Sequence, residues 1–227
     1  QEALAADGVQ VQGYTELSSF MRALPASMPI LLDMARTTAW AAQLAAHLNV
    51  VEYINPAQLL KSSKTDAELD HVRETMEKDG AALCEFFAWF EQQSDVNELD
   101  VDEHICAAHA RQEGFVSPSF GTIAAYNANG AMPHYQATQQ SHVRIDGNGL
   151  LLSDSGGQYQ GGTTDITRVV PVGQVSAEQI RDFTLVLKGM VSLSMLVFPE
   201  GIAGQQIDVL ARQPLWEQGL DFGHGTG

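Results

Sequence analysis

Between Leu150 and Val170 the backbone has little choice but to turn back on itself. Leu150 to Leu152 is apolar, Ile166 to Val170 is mostly β-branched, and four glycines lie between them. The pattern predicts two antiparallel strands joined by a glycine-rich turn. Each strand carries one aspartate, Asp154 and Asp165, eleven residues apart. A turn centred at Tyr159 and Gln160 sets the two carboxylates opposite or nearly opposite on neighbouring strands. Like charges so placed repel. Divalent cations between them would turn that repulsion into binding, and metal pairs about 3.5 to 4 Å apart recur in hydrolytic sites. The plainer reading makes both aspartates turn or loop-capping residues. Against it, Asp165 lies within Thr164-Asp165-Ile166-Thr167, a run where aspartate is disfavoured unless something engages it. The surrounding Ser, Thr and Gly residues supply hydrogen-bond donors and room for close approach.

The rest of the chain mixes helix and strand. Residues 1–55 alternate: Val9 to Val11, Ile30 to Leu32 and Val50 to Ile54 read as strands, and Thr15 to Leu24 and Thr37 to Leu48 as helices, a small α/β layer unit. Asn55-Pro56 interrupts it and the polar run Lys61-Ser62-Ser63-Lys64 follows, which predicts domains 1–60 and 61–227. A long helix then begins at a Thr65/Glu68 capping-box pattern, with Leu69, Val72, Met76, Leu83, Phe87 and Phe90 as its apolar face. A second helix is expected from about Glu98 to Arg111, with Ile105 inward. Thr122 to Tyr126, His142 to Ile145, Leu150 to Ser155 and Thr163 to Val170 read as strands, the middle two joined in a hairpin by Asp146-Gly147-Asn148-Gly149. Ser176 and Gln179 open a further helix that runs to Met195 ahead of Pro199-Glu200-Gly201, and a shorter one is expected from Gly204 to about Trp216. The fold class is therefore α/β, of the α+β type.

Charge and composition narrow the functions. Asp and Glu outnumber Lys and Arg 28 to 12, which argues against a nucleic-acid or anionic-membrane partner. The longest apolar stretch, Leu185 to Phe198, is too short and too interrupted to span a bilayer. Cys84 and Cys106 lack metal-ligand spacing, so free thiols in a reducing compartment, the cytoplasm, are expected.

The segment Asp154-Ser155-Gly156-Gly157-x-Tyr159-x-x-Gly162-Thr163-Thr164-Asp165-Ile166-Thr167-Arg168 resembles the signature of the Xaa-Pro aminopeptidases, pita-bread metallopeptidases related to prolidase and methionine aminopeptidase. The similarity covers most of the chain, and the first 55 residues resemble the end of a creatinase-like amino-terminal domain. The resemblance implies the end of a creatinase-like α/β domain followed by the first part of a pita-bread catalytic domain. It also implies that Asp154 and Asp165 ligate a dinuclear metal centre. Manganese is usual in the family; oxygen ligands with one imidazole also admit cobalt, iron or zinc. His134, in Gly130-Ala131-Met132-Pro133-His134-Tyr135, matches a histidine that contacts substrate near the metals. His224, in His224-Gly225-Thr226-Gly227, matches one that donates a hydrogen bond to substrate or intermediate. Without the resemblance, His134 reads equally as a hydrogen-bonded loop histidine. The implied activity is release of an N-terminal residue that precedes proline, with two cations activating a shared water and polarising the scissile carbonyl. Peptides with proline second are the implied partners, and a homodimer is an expectation from the family's longer members.

The family's remaining ligands, one histidine just after Gly227 and two later glutamates, are not in the sequence, so the chain reads as a fragment cut at both ends, inactive by itself. Three alternatives compete. Prolidase demands a free carboxylate on a dipeptide. A pita-bread domain without metal ligands is a binding module. Asp154-Ser155-Gly156-Gly157 and Ala107-Ala108-His109 echo serine-protease motifs, but those proteases are antiparallel barrels and His109 falls in a helical stretch.

Overall fold

The computed structural model describes residues 6–226 and divides the chain between Ala67 and Glu68 into two units. In the first unit a short 3-10 turn leads into α1 (Leu17–Ala23), followed by β1 (Pro29–Leu32), α2 (Ala39–Ala45), β2 (Asn49–Glu52) and α3 (Pro56–Ser62). β1 and β2 pair in parallel, as strands joined through a helix can. Met21, Ala45 and Leu48 form the small core, with Leu24, Ile30, Leu32 and Leu44 against it. Asn55 starts α3: its side chain accepts from Ala57 N at 2.9 Å, and Pro56 occupies a position whose N–H would have gone unused. Residues 9–11, expected as a strand, have no regular structure. Three residues without a partner strand cannot hold extended pairing.

The second unit begins within α4 (Asp66–Phe90), followed by β3 (Val96–Asn97) and α5 (Glu98–Ala110). Then come β4 (Phe115–Pro118), β5 (Ile123–Tyr126), β6 (Arg144–Ile145), β7 (Gly149–Ser155), β8 (Gly157–Tyr159), β9 (Gly162–Thr163) and β10 (Ile166–Val172). Helices α6 (Ala177–Ser194) and α7 (Gly204–Trp216) close it. The strands form two three-stranded antiparallel sheets, ordered β10-β7-β5 and β4-β8-β9, and a ribbon of β3 with β6. α4 and α5 supply Ala82, Leu83, Phe86, Val101, Ile105 and Ala108 to the main core, where they meet Ala124, Tyr126, Leu151 and Ile166 from the strands. Each large side chain there contributes about 1.5 to 3 kcal/mol through burial.

Three expectations change. The buried face of α4 is Thr75, Asp79, Ala82, Leu83 and Phe86, whereas Leu69, Val72 and Met76 are exposed. Hydrophobicity alone misassigned the first half of the helix because Thr75 and Asp79 are polar but buried. Residues 146–149 do not join a hairpin, because β6 leaves to pair with β3. Val143 is captured by the start of α5: Glu98 N donates to Val143 O and Val143 N to the Glu98 carboxylate. β4 was not expected; its exposed, irregular pairing with β8 gives no clean alternation to read.

The two C-terminal helices follow the sequence closely. Ser176 and Gln179 form the reciprocal capping box of α6. α6 and α7 cross where Gly189 is buried, and a Cβ there would stand 2.1 Å from Ala211 O. Gly189→Ala would normally favour a helix by about 1 kcal/mol, but here α7 backbone must move. We expect net destabilisation of about 1 to 3 kcal/mol, read from the urea unfolding midpoint; a rise in stability would show that the crossing yields freely.

Candidate functional site

β7 is the central strand of its sheet, and its burial alternates strictly: Ser153 and Ser155 face the core while Asp154 lies on the more open face. Asp154 sits between Ile123 on β5 and Thr167 on β10. The tip of the β8–β9 hairpin is Gln160-Gly161, so Asp154 is directly opposite Thr167 rather than Asp165. Asp165, two residues before Thr167, is its diagonal neighbour on the same face. The chain between the aspartates also leaves one sheet for the other. It does so at Gly156 on the way out and at Thr164-Asp165 on the way back. A Cβ on Gly156 would lie 2.0 Å from Thr164 O, so this close crossing requires glycine.

Burial holds the Asp154 carboxyl above its usual range, and the adjacent Asp165 carboxylate, within hydrogen-bonding reach, raises it further; Thr167 and His224 act in the opposite direction. Asp154 Oδ1 is buried without a hydrogen-bond partner. A buried, unpaired carboxylate oxygen beside a second carboxylate is costly by itself and fits a cation. Among the described residues no three His, Cys, Asp or Glu side chains converge as a metal-binding group. The pair is a partial donor set.

Two histidines complete the patch. His224 lies close enough to act on the Asp154 carboxyl, and its Nε2 is 3.2 Å from Nε2 of His134, with the rings edge to face. His224 Nδ1 is 2.8 Å from Gly225 O, an acceptor only, so Nδ1 carries a proton. In the neutral ring Nε2 is then the acceptor for an Nε2–H of His134, and in the charged ring the direction reverses, so one N–H lies between the rings either way. His134 has φ +58°, a left-handed conformation that costs a non-glycine residue about 1 to 2 kcal/mol. Strain of this kind persists only where the surroundings enforce it. Thus Asp165 and His224 both act on the Asp154 carboxyl, and His134 faces His224; Gly227, the end of the His224 motif, lies outside the described residues.

The residues that hold this patch were not singled out. Glu98 is fully buried at the start of α5 and accepts from Tyr126 N at 2.7 Å, Val143 N at 3.0 Å, Tyr135 OH at 2.9 Å and Asn129 Nδ2 at 3.0 Å. It gathers both ends of the loop carrying His134, and its contact with Tyr135 is one residue away. Arg212 on α7 does the same for His224. Its guanidinium pairs with Asp208 at 2.7 Å, donates to Phe222 O and His224 O at 2.7 Å each, and lies over the Phe222 ring. A buried acid at a helix start and an arginine in an amphipathic helix are signals only in hindsight, since their partners are distant in sequence.

His109 Nδ1 is 2.9 Å from Asp79 and its Nε2 is 3.1 Å from Ser155 Oγ, the connectivity of a Ser-His-Asp triad. However, Ser155 and His109 are each 1% exposed and Asp79 is 0%, so no peptide reaches the hydroxyl. The serine-protease reading fails on access and on fold.

A family model for metallopeptidase family M24 matches residues 70–227. The chain belongs to this family. Over its whole length it is 36% identical to a probable Xaa-Pro aminopeptidase P of Sordaria macrospora, of which it covers 39%. A probable Xaa-Pro aminopeptidase P of Podospora anserina is 43% identical over 83% of the chain, which covers 29% of that relative. The solved X-prolyl aminopeptidase of Caenorhabditis elegans, described as a cytosolic enzyme with a di-nuclear active site, superposes on 98% of the chain with a TM-score of 0.89 at 31% identity; the chain covers 38% of it. The mixed helix-and-sheet architecture is thus that of the pita-bread M24 metallopeptidases, and the chain spans 29 to 39% of the length of these three proteins.

The thiols of Cys84 and Cys106 are free. Among the described residues no helix is long and apolar enough to cross a membrane.

Proposed function

We propose that the protein is a metal-dependent aminopeptidase that releases an N-terminal residue preceding proline. The observation that carries this reading is the carboxylate pair Asp154 and Asp165, with its buried, unpartnered Asp154 oxygen, beside the facing imidazoles of His134 and His224. Asp154 and Asp165 would hold two divalent cations, with manganese the proposed metal. Both aspartates supply hard oxygen ligands, which also admit cobalt, iron and zinc. The remaining donors, a histidine and two glutamates on the family pattern, are proposed to come from sequence outside residues 1–227. Residues 1–60 are read as the end of a creatinase-like domain and 61–227 as part of the pita-bread domain.

Cations held by Asp154 and Asp165 would supply an activated water and a polarised scissile carbonyl. The chain's own side chains bind and orient. One N–H lies between the two imidazoles, and when a substrate parts them that donor is free for the oxygen on which charge develops. The loop held by Glu98 and the segment held by Arg212 keep both rings at the patch. The ammonium end of a peptide suits a protein with net charge −16. A cytoplasmic location and a homodimer belong to the same proposal.

The rival within the family is a prolidase-type dipeptidase. The full-length protein is expected to hydrolyse a tripeptide Xaa-Pro-Yaa at the Xaa–Pro bond in preference to the dipeptide Xaa-Pro, and to lose the activity on chelation. Preference for the dipeptide would favour the prolidase reading; no hydrolysis of either by metal-loaded protein would leave a binding module.

A further inference from the structure

Asp165 poses a positioning problem. It lies with Thr164 in the gap between β9 and β10, where the strand ladder has lapsed, and Asp154 is the last residue but one of β7. Two ligands of one metal pair must be held within about 0.5 Å of the productive geometry, yet Asp165 itself has no ladder partner, and backbone pairing holds only its neighbours, Thr164 N to Gly157 O and Ile166 opposite Ser155. The neighbours of both residues point the other way, into the core. There Ser155 and Thr164 meet the same buried group: Thr164 Oγ1 donates to Asp79 Oδ1 at 2.8 Å, and Ser155 Oγ contacts His109 Nε2, whose Nδ1 is 2.9 Å from that same Asp79 oxygen. Tyr159 OH, from the hairpin between them, donates to it at 2.9 Å. Gly157 N donates to Thr164 Oγ1 and Ser119 Oγ to Thr164 O, which closes the network.

Given the metal reading above, on which this rests, we infer that Asp79 and His109 are positioning residues: from behind the sheet they tie Ser155 to Thr164 and thereby set the spacing of Asp154 and Asp165. The brace is anchored to α4 and α5, the two long helices of the core, and not to the hairpin itself. Asp79 is held ionised for this purpose. Burial disfavours its charge, but hydrogen bonds from His109 and Thr164, the histidine's charge and the Tyr159 hydroxyl prevail, and its carboxyl stays below the usual range. A brace with hydrogen bonds to the residues next to both ligands acts on the metals as partners of ligating groups do, where substitutions typically cost about 10- to 100-fold in affinity.

The test is a titration of the metal-free, full-length protein with Mn2+, followed by electron paramagnetic resonance for affinity, stoichiometry and the coupling between the two bound ions. Thr164→Val keeps the shape but deletes the hydroxyl; it is expected to weaken binding of the pair by about 10- to 100-fold and to change the coupled two-ion spectrum. Thr164→Ser, which retains the hydroxyl, is expected to restore both. A Thr164→Val protein with wild-type affinity and spectrum overturns the brace. Should that variant not fold, Ser155→Ala, which removes only the hydroxyl facing His109, is read in the same way, and unchanged binding and coupling overturn the proposal. Wild-type protein that takes up no Mn2+ pair instead sinks the metal reading itself.

Discussion

Asp165→Asn in the full-length protein is expected to abolish binding of the metal pair and peptide hydrolysis together. The substitution removes a negative charge and an acceptor-only ligand while keeping size and shape. Asp165 is exposed and lies outside the strand ladder, so the fold does not depend on it. Loss of the carboxylate also relieves the repulsion that raises the Asp154 carboxyl, so unfolding stability should hold or rise slightly. Catalysis has no such cushion. Losing the metal-activated water and the polarised carbonyl should cost at least about 10³-fold, roughly 4 kcal/mol of barrier. Metal content by elemental analysis and hydrolysis of an Xaa-Pro-Yaa peptide are measured on the same sample. A variant that retains two ions at wild-type affinity would contradict the assignment.

Glu98→Ala is expected to produce the largest loss of stability among substitutions outside the hydrophobic core. The carboxylate is fully buried and receives donors from Tyr126, Asn129, Tyr135 and Val143. Alanine leaves the backbone N–H groups of Tyr126 and Val143 without their acceptor, at about 1 to 3 kcal/mol per buried group, while Tyr135 OH keeps Ser141 O and Asn129 keeps the Tyr135 hydroxyl. A total loss of about 3 kcal/mol or more follows, measured by chemical unfolding. Because Tyr135 adjoins His134, the variant should also raise KM for the peptide more than a core substitution of equal destabilisation would. Glu98→Gln, which keeps one oxygen acceptor, should lose less. A loss below about 1 kcal/mol for the alanine variant would mean that the loop is held by something else.

The helices were legible because their signals are local. The Ser176/Gln179 capping box and the Gly204 to Trp216 stretch predicted α6 and α7 from periodicity and caps a few residues apart. The antiparallel partnership of the two aspartate strands was equally legible, because glycines between two β-branched or apolar runs admit few other paths. What failed depended on choice among distant partners. The 146–149 turn has every hairpin residue, yet β6 pairs with β3, because Glu98 offers Val143 both an acceptor and a donor. The α4 face was misread for the same reason: Asp79 is buried by partners 30, 80 and 85 residues away.

The sequence by itself determined the carboxylate pair, the glycine path between its members and the two histidines proposed to work with it, since residue type and spacing along the chain carry that information. It could not determine register. A turn one residue further along made Asp154 and Asp165 diagonal instead of opposite, and a side-chain period of two keeps them on one face either way. Only the tertiary structure decided what lies behind that face, because Glu98, Arg212, Asp79 and His109 acquire their roles from helices packed against the sheets and from loops brought within hydrogen-bonding distance. Such contacts follow from how the whole core is packed, and no local pattern encodes them.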